Sequence, residues 1–132
     1  MNIAEVVFLL HNSLFIQNDI LEVAMHGLAR RNEVINNNIA NNDVPNFKRS
    51  TVHFEDRLAA AVDSARRTGV LNLDSVSPRV VRHNTTLKYR LDGNNVDIET
   101  EMVDLYQNSM RYEVLIGAVM NNYRRINLAL SR

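Results

Sequence analysis

Hydrophobic positions recur every seven residues at both ends of the chain and lose that rhythm in between. Near the N-terminus Val7, Leu14, Leu21, Leu28 and Ile35 fall seven apart, and Ala4, His11, Asn18, Met25, Asn32 and Ile39 occupy the alternate core positions. A seven-residue repeat marks a helix whose narrow seam faces a partner helix, rather than the wider stripe of a simple surface helix. It predicts a helical part over residues 1–42. At the other end Ile98, Met102, Leu105, Ser109, Tyr112, Ile116, Val119, Tyr123, Ile126 and Leu130 advance by alternating steps of four and three. They predict a C-terminal helix over residues 96–131, about 50 Å long at 1.5 Å per residue. Such a helix needs a partner along its whole length. The expected packing seam is Leu14, Leu21, Leu28 and Ile35 against Leu105, Tyr112, Ile116, Val119, Tyr123 and Ile126. Val103, Tyr106, Met110, Val114, Gly117 and Met120 add a second apolar ridge, more than one partner helix covers, so packing against several helices is expected. Asn18 and Asn32 sit on seam positions; they are either register devices or solvent-facing groups, and the pattern leaves both readings open.

Residues 43–95 read as a connector. Both prolines, Pro45 and Pro78, and the glycines Gly69 and Gly93 punctuate short segments there. Residues 54–67 have the pattern of a small amphipathic helix, with Gly69 as its stop signal. Val70 to Leu73 and Thr86 to Leu91 alternate as short strands do, and Asp92-Gly93 is a turn that reopens into the C-terminal helix. The expected fold is mainly α, a single domain of 132 residues: long terminal helices packed as an antiparallel, coiled-coil-like pair, with a short irregular middle holding one small helix and short strands.

Composition narrows the function. Fifteen basic residues balance fifteen acidic ones, so no global field draws the chain to nucleic acid or an anionic membrane. The basic pairs, such as Lys48-Arg49 and Arg124-Arg125, are dispersed among acids, and nucleic acid is not an expected partner. There is no Cys, and His11, His26, His53 and His83 are scattered without metal-ligand spacing. No phosphate-binding glycine loop or nucleophile–base arrangement is present, so neither a catalytic activity nor a cofactor is expected. No run of about 18 apolar residues exists to span a membrane, and the opening segment, interrupted by Glu5 and lacking a basic start, does not read as a cleavable signal peptide.

Asparagine is the anomaly, with eighteen in the chain and six among residues 36–46. Its side chain satisfies helix-end carbonyls and it tolerates left-handed backbone, while Pro45 disfavours helix at Val44; the first helix should stop near Asn42. Read alone, the run is a C-cap and turn. Its wording, however, resembles the N-terminal signature of flagellar axial proteins, carried here by Asn37, Asn38, Ile39, Ala40 and Asn41, then Val44, Pro45, Phe47 and Lys48. Asn46 stands where that signature usually has Gly, and Asn is the next best residue at positive φ. A second segment, Asp92, Gly93, Asn94, Val96 and Asp97, followed by Asn108-Ser-Met-Arg-Tyr, resembles the entry to the C-terminal helix in small proximal rod subunits of the FlgB type. Asp97 also suits a helix N-cap, with Glu99 and Glu101 near the positive helix end.

The resemblance implies a structural subunit of the periplasmic flagellar drive shaft, exported without a cleavable signal. Its implied partners are copies of itself, other rod proteins, and ring or export-gate adaptor proteins at the rod base. The alternative is a helical adaptor or type III export chaperone, which would show similar end helices without the asparagine-rich turn.

Overall fold

The computed structural model describes residues 3–83 and 93–131, with side chains described from residue 16 onward. The expected seam residue Leu14 therefore lies outside the described side chains, and the Thr86–Leu91 strand and Asp92 lie outside the described residues.

Five elements follow in order: α1 (Ile3–Ala40), β1 (Ser50–His53), α2 (Glu55–Thr68), β2 (Arg79–Arg82) and α3 (Ile98–Leu130). The long helices α1 and α3, of 38 and 33 residues, lie antiparallel. Three hydrogen bonds fix the direction, because partners late in α1 meet residues early in α3. Asn38 bonds Glu101, the Leu28 carbonyl bonds Asn108, and Asn18 bonds Asn122. Helix α1 ends where its asparagines begin to serve as caps: Asn41 donates from both backbone and side chain to the Asn37 carbonyl, at 3.2 and 2.8 Å. Asn46 then turns the chain with φ 61°, a left-handed geometry that Asn adopts at little cost.

The connector folds back over the clasped end of this hairpin. β1 pairs antiparallel with β2, Thr51 opposite Val81 and Val52 opposite Val80. The strand expected at Val70 to Leu73 is not formed, and irregular chain runs there instead. β-Branched side chains favour the observed pairing: Thr51-Val52 and Val80-Val81 pair across the ladder, whereas among the described residues no strand lies beside Val70 and Leu73. Helix α2 carries Glu55 and Asp56 in its first turn and Arg66 and Arg67 in its last, each matching the helix dipole. Gly69 closes it in left-handed geometry, φ 75°, donating to the Ala65 carbonyl.

The apolar core is small and sits where these pieces meet. Leu28, Val34, Val52 and Phe54 are buried together, with Leu58, Tyr112 and Leu115 packed around them. Gly27 makes this possible, since a Cβ there would come within 2.6 Å of the Phe54 ring. The same ring lies under the Arg31 guanidinium, 5.1 Å from its centroid.

Candidate assembly interface

The asparagine-rich turn and the entry to α3 form one polar clasp. Asn94, fully buried, donates its side-chain amide to the carbonyls of Asn42 (2.6 Å), Val44 (3.1 Å) and Asn41 (3.4 Å). Its oxygen accepts from the Val96 N–H at 2.8 Å. One side chain from the second motif thus caps the end of α1, where helical carbonyls have no internal partner. Glycine is strongly favoured at Gly93: its φ is +79°, and a Cβ would lie 2.5 Å from the Asn46 amide oxygen. Lys48 donates to the Gly93 carbonyl at 2.7 Å, and Asn95 accepts from the Arg49 N–H at 2.7 Å.

Below that cap lies a buried acid. Glu101 is fully buried, and it receives the Arg49 guanidinium on one oxygen and the Asn38 amide on the other, the latter at 3.0 Å. Asn38 in turn treats Ser50 as a strand neighbour, donating to its carbonyl (2.8 Å) and accepting from its N–H (3.0 Å). Arg49 also reaches Asp104 at 2.7 Å. Partial burial works against the Arg49 charge, but the two carboxylates outweigh it and raise its pKa above the ordinary value. A buried charge persists only with such partners, since an unpaired one is costly in a low-dielectric interior. Nearby, Arg31 joins α1 to both β1 and α2, donating to the Val52 carbonyl at 2.9 Å and to Glu55 at 2.7 Å. Burial opposes the Glu55 charge, yet the Arg31 hydrogen bond prevails and holds its carboxyl below the usual range. Asp97 caps α3 as a helix N-cap does, accepting from Thr100 Oγ1 (2.8 Å) and the Glu99 N–H (3.1 Å), and these bonds lower its pKa.

Helix α3 is turned inside out relative to an ordinary surface helix. Its buried positions are polar: Glu101, Asn108 and Asn122. Its solvent face carries Val103, Tyr106, Met110, Val114, Met120 and Tyr123, with Tyr106 66% and Val114 70% exposed. Soluble chains seldom leave so long an apolar face uncovered, and such faces mark binding surfaces.

No family model matches the chain. Among individual proteins, the flagellar basal body rod protein FlgB of Borrelia hermsii is 36% identical, over 78% of this chain and 87% of the relative. The Bacillus subtilis protein of the same name is 33% identical, over 84% of this chain and 90% of the relative. The chain belongs to the FlgB family of flagellar basal body rod proteins. The Escherichia coli FlgB protein is more distant, 29% identical over 73% of this chain and 79% of its own length.

In this FlgB-family chain the two sequence motifs meet in space. Of the first, Asn38 is buried, Ile39, Asn41, Phe47 and Lys48 are half-buried, and Asn37, Ala40, Val44 and Pro45 are exposed. Of the second, Gly93, Asn94 and Val96 are buried and Asp97 is half-buried. Along the seam Leu28 and Ile35 are buried, and Leu21, Leu105, Tyr112, Ile116, Val119 and Ile126 are half-buried. Tyr123, by contrast, is 59% exposed. Asn18 resolves as an inward position, since it accepts a 3.0 Å hydrogen bond from Asn122. Asn32 is half-buried and accepts from Asn36 on its own helix at 2.6 Å.

Sequence reasoning did not foresee the buried contacts of Arg49, Glu101, Asn108 and Asn122. Arg49 reads in the sequence as half of a dispersed basic pair, and Glu101 as a first-turn acid serving the helix dipole; instead they form the ion pair of the clasp. A signal did exist: Glu101, Asn108, Leu115 and Asn122 are seven apart, so polar residues recur on one heptad position of α3.

Proposed function

We propose that this chain is a non-enzymatic structural subunit of the flagellar basal-body rod that transmits torque through α1 and α3, held together by the polar clasp. The observation that carries this reading is the exposed apolar face of α3, Val103 to Tyr123, lying opposite a seam that is partly polar. Among the described residues no helix is long and apolar enough to cross a membrane, so that face has protein neighbours as its natural cover. Its partners are copies of this chain and other rod proteins, with ring or export-gate adaptor proteins at the base. The place of assembly is the periplasm, reached by the flagellum's own export route. The FlgB relatives do not favour the helical adaptor or export chaperone alternative. The chain, the two motifs included, acts as one rod-subunit domain.

The test is a pair of exposed-face substitutions, Tyr106→Asp and Val114→Asp, in cells that depend on this chain for motility. Both side chains are exposed, so far-ultraviolet circular dichroism of the purified variants should match the parent. Motility and recovery of the chain in isolated basal bodies should fall sharply. Normal swimming with both variants would reject the outer face as the assembly surface.

A further inference from the structure

One lateral contact can be specified further, resting on the reading of this chain as a rod subunit. At the end of the hairpin away from the clasp, two different surfaces carry apolar groups with opposite charges. On one side a cleft of about 700 Å³ opens between α1 and the chain that follows α2. Ile16, Val23, Val70 and Leu71 give it apolar walls, and Asp19 and Glu22 line it with negative charge. On a separate patch α3 presents Met120, Tyr123 and Leu128, each about 60% exposed, with Arg124 among them and Arg125 next in sequence. Among the described residues none of these four charged side chains has an ion-pair partner within the chain.

The heights of the two surfaces match. The Asn122–Asn18 hydrogen bond sets residue 18 level with residue 122. At 1.5 Å rise per residue, Asp19 and Arg124 then lie within about one helical turn of each other along the hairpin axis. Two copies standing side by side in the same direction therefore bring ridge to cleft and arginines to carboxylates without any axial shift.

We propose that the Met120–Tyr123–Leu128 ridge of one copy seats in the α1 cleft of a neighbouring copy running the same way, with Arg124 and Arg125 against Asp19 and Glu22. Because ridge and cleft are different patches, each copy uses one on either side, and the contact repeats around an axis rather than closing as a pair. Charge complementarity supplies orientation and register, while the aromatic and methionine side chains supply the desolvated centre.

The chain has no cysteine, which makes cross-linking clean. The double variant Asp19→Cys with Arg124→Cys, oxidised in intact basal bodies, should give dimers and higher multimers on a non-reducing gel; either single variant should give none. In parallel, the reversal Asp19→Arg with Glu22→Arg, and the reversal Arg124→Glu with Arg125→Glu, should each lower recovery in basal bodies by about tenfold. Combining all four substitutions should restore it. Absence of the cross-link, unchanged recovery in both reversals, or a combined variant no better than either reversal would overturn the contact. If the unsubstituted chain were itself missing from basal bodies, the rod reading beneath it would fall instead.

Discussion

Asn94 illustrates how one side chain joins two distant stretches of chain. Its amide meets three carbonyls at the end of α1, and its oxygen holds the Val96 N–H at the approach to α3. Asn94→Ala removes all four bonds and leaves a buried N–H among the unsatisfied groups. The expected loss is about 2 kcal/mol of stability, since each stranded buried group costs about 1–3 kcal/mol and water reaches the more exposed carbonyls. Asn36→Ala, by contrast, removes only an exposed side-chain bond to Asn32 and should cost well under 1 kcal/mol. Urea unfolding of both variants checks the contrast; equal losses would mean that the clasp is not what holds the end of α1. Gly93→Ala should resemble Asn94→Ala rather than Asn36→Ala, because its backbone is left-handed and the Asn46 side chain occupies the space beside it.

At the scale of the element, α3 inverts the usual relation between burial and polarity. Asn108 is the clearest case: its amide donates to the Leu28 carbonyl at 3.0 Å, while its buried oxygen has no hydrogen-bond partner among the described residues. Replacing a half-satisfied buried amide by an apolar group of similar size is often neutral or stabilising. Asn108→Leu should therefore raise the midpoint of thermal unfolding by a few degrees, corresponding to about 1 kcal/mol. A lower midpoint would show that the Leu28 bond outweighs the stranded oxygen. This inversion also explains how far the fold was legible in the sequence. The long helices, the small helix and its glycine stop follow from periodicity and caps that depend only on local chemistry. Leu105, Tyr112, Val119 and Ile126 belong to the expected seam and are half-buried in the hairpin. Tyr123 was expected on that seam, and Met102 keeps its spacing, yet both are exposed, and Glu101 and Asn122 are buried. Apolar spacing alone cannot assign a helix with two apolar faces to one partner, because the second face finds its cover in another molecule. The strands were harder still, since four-residue segments carry too little pattern to declare which stretch they pair with.

For the whole molecule, cohesion is concentrated at one end. The apolar core, the Glu101 pair and the Asn94 cap all lie near the turn, whereas residues 123–131 are exposed apart from Ile126. In dilute monomer, amide exchange should be slowest around residues 28–38 and 101–112 and should quicken steadily toward residue 131. Hydrogen exchange read by mass spectrometry resolves that gradient. Assembly should flatten it, as neighbours cover the outer face of α3. Uniform protection along both helices of the isolated chain would contradict a fold completed by assembly.

The Asn38–Glu101–Arg49 cluster has a mechanical consequence. Two greasy rods pressed together resist separation well but shear past one another easily, since each step along the axis trades one oily contact for another. A buried carboxylate has no such freedom: one heptad of slippage would carry Glu101 away from both its amide and its guanidinium and strand a bare charge. The cluster behaves as a dowel through two shafts, so a twisting load meets bond rupture there before it meets creep along the length.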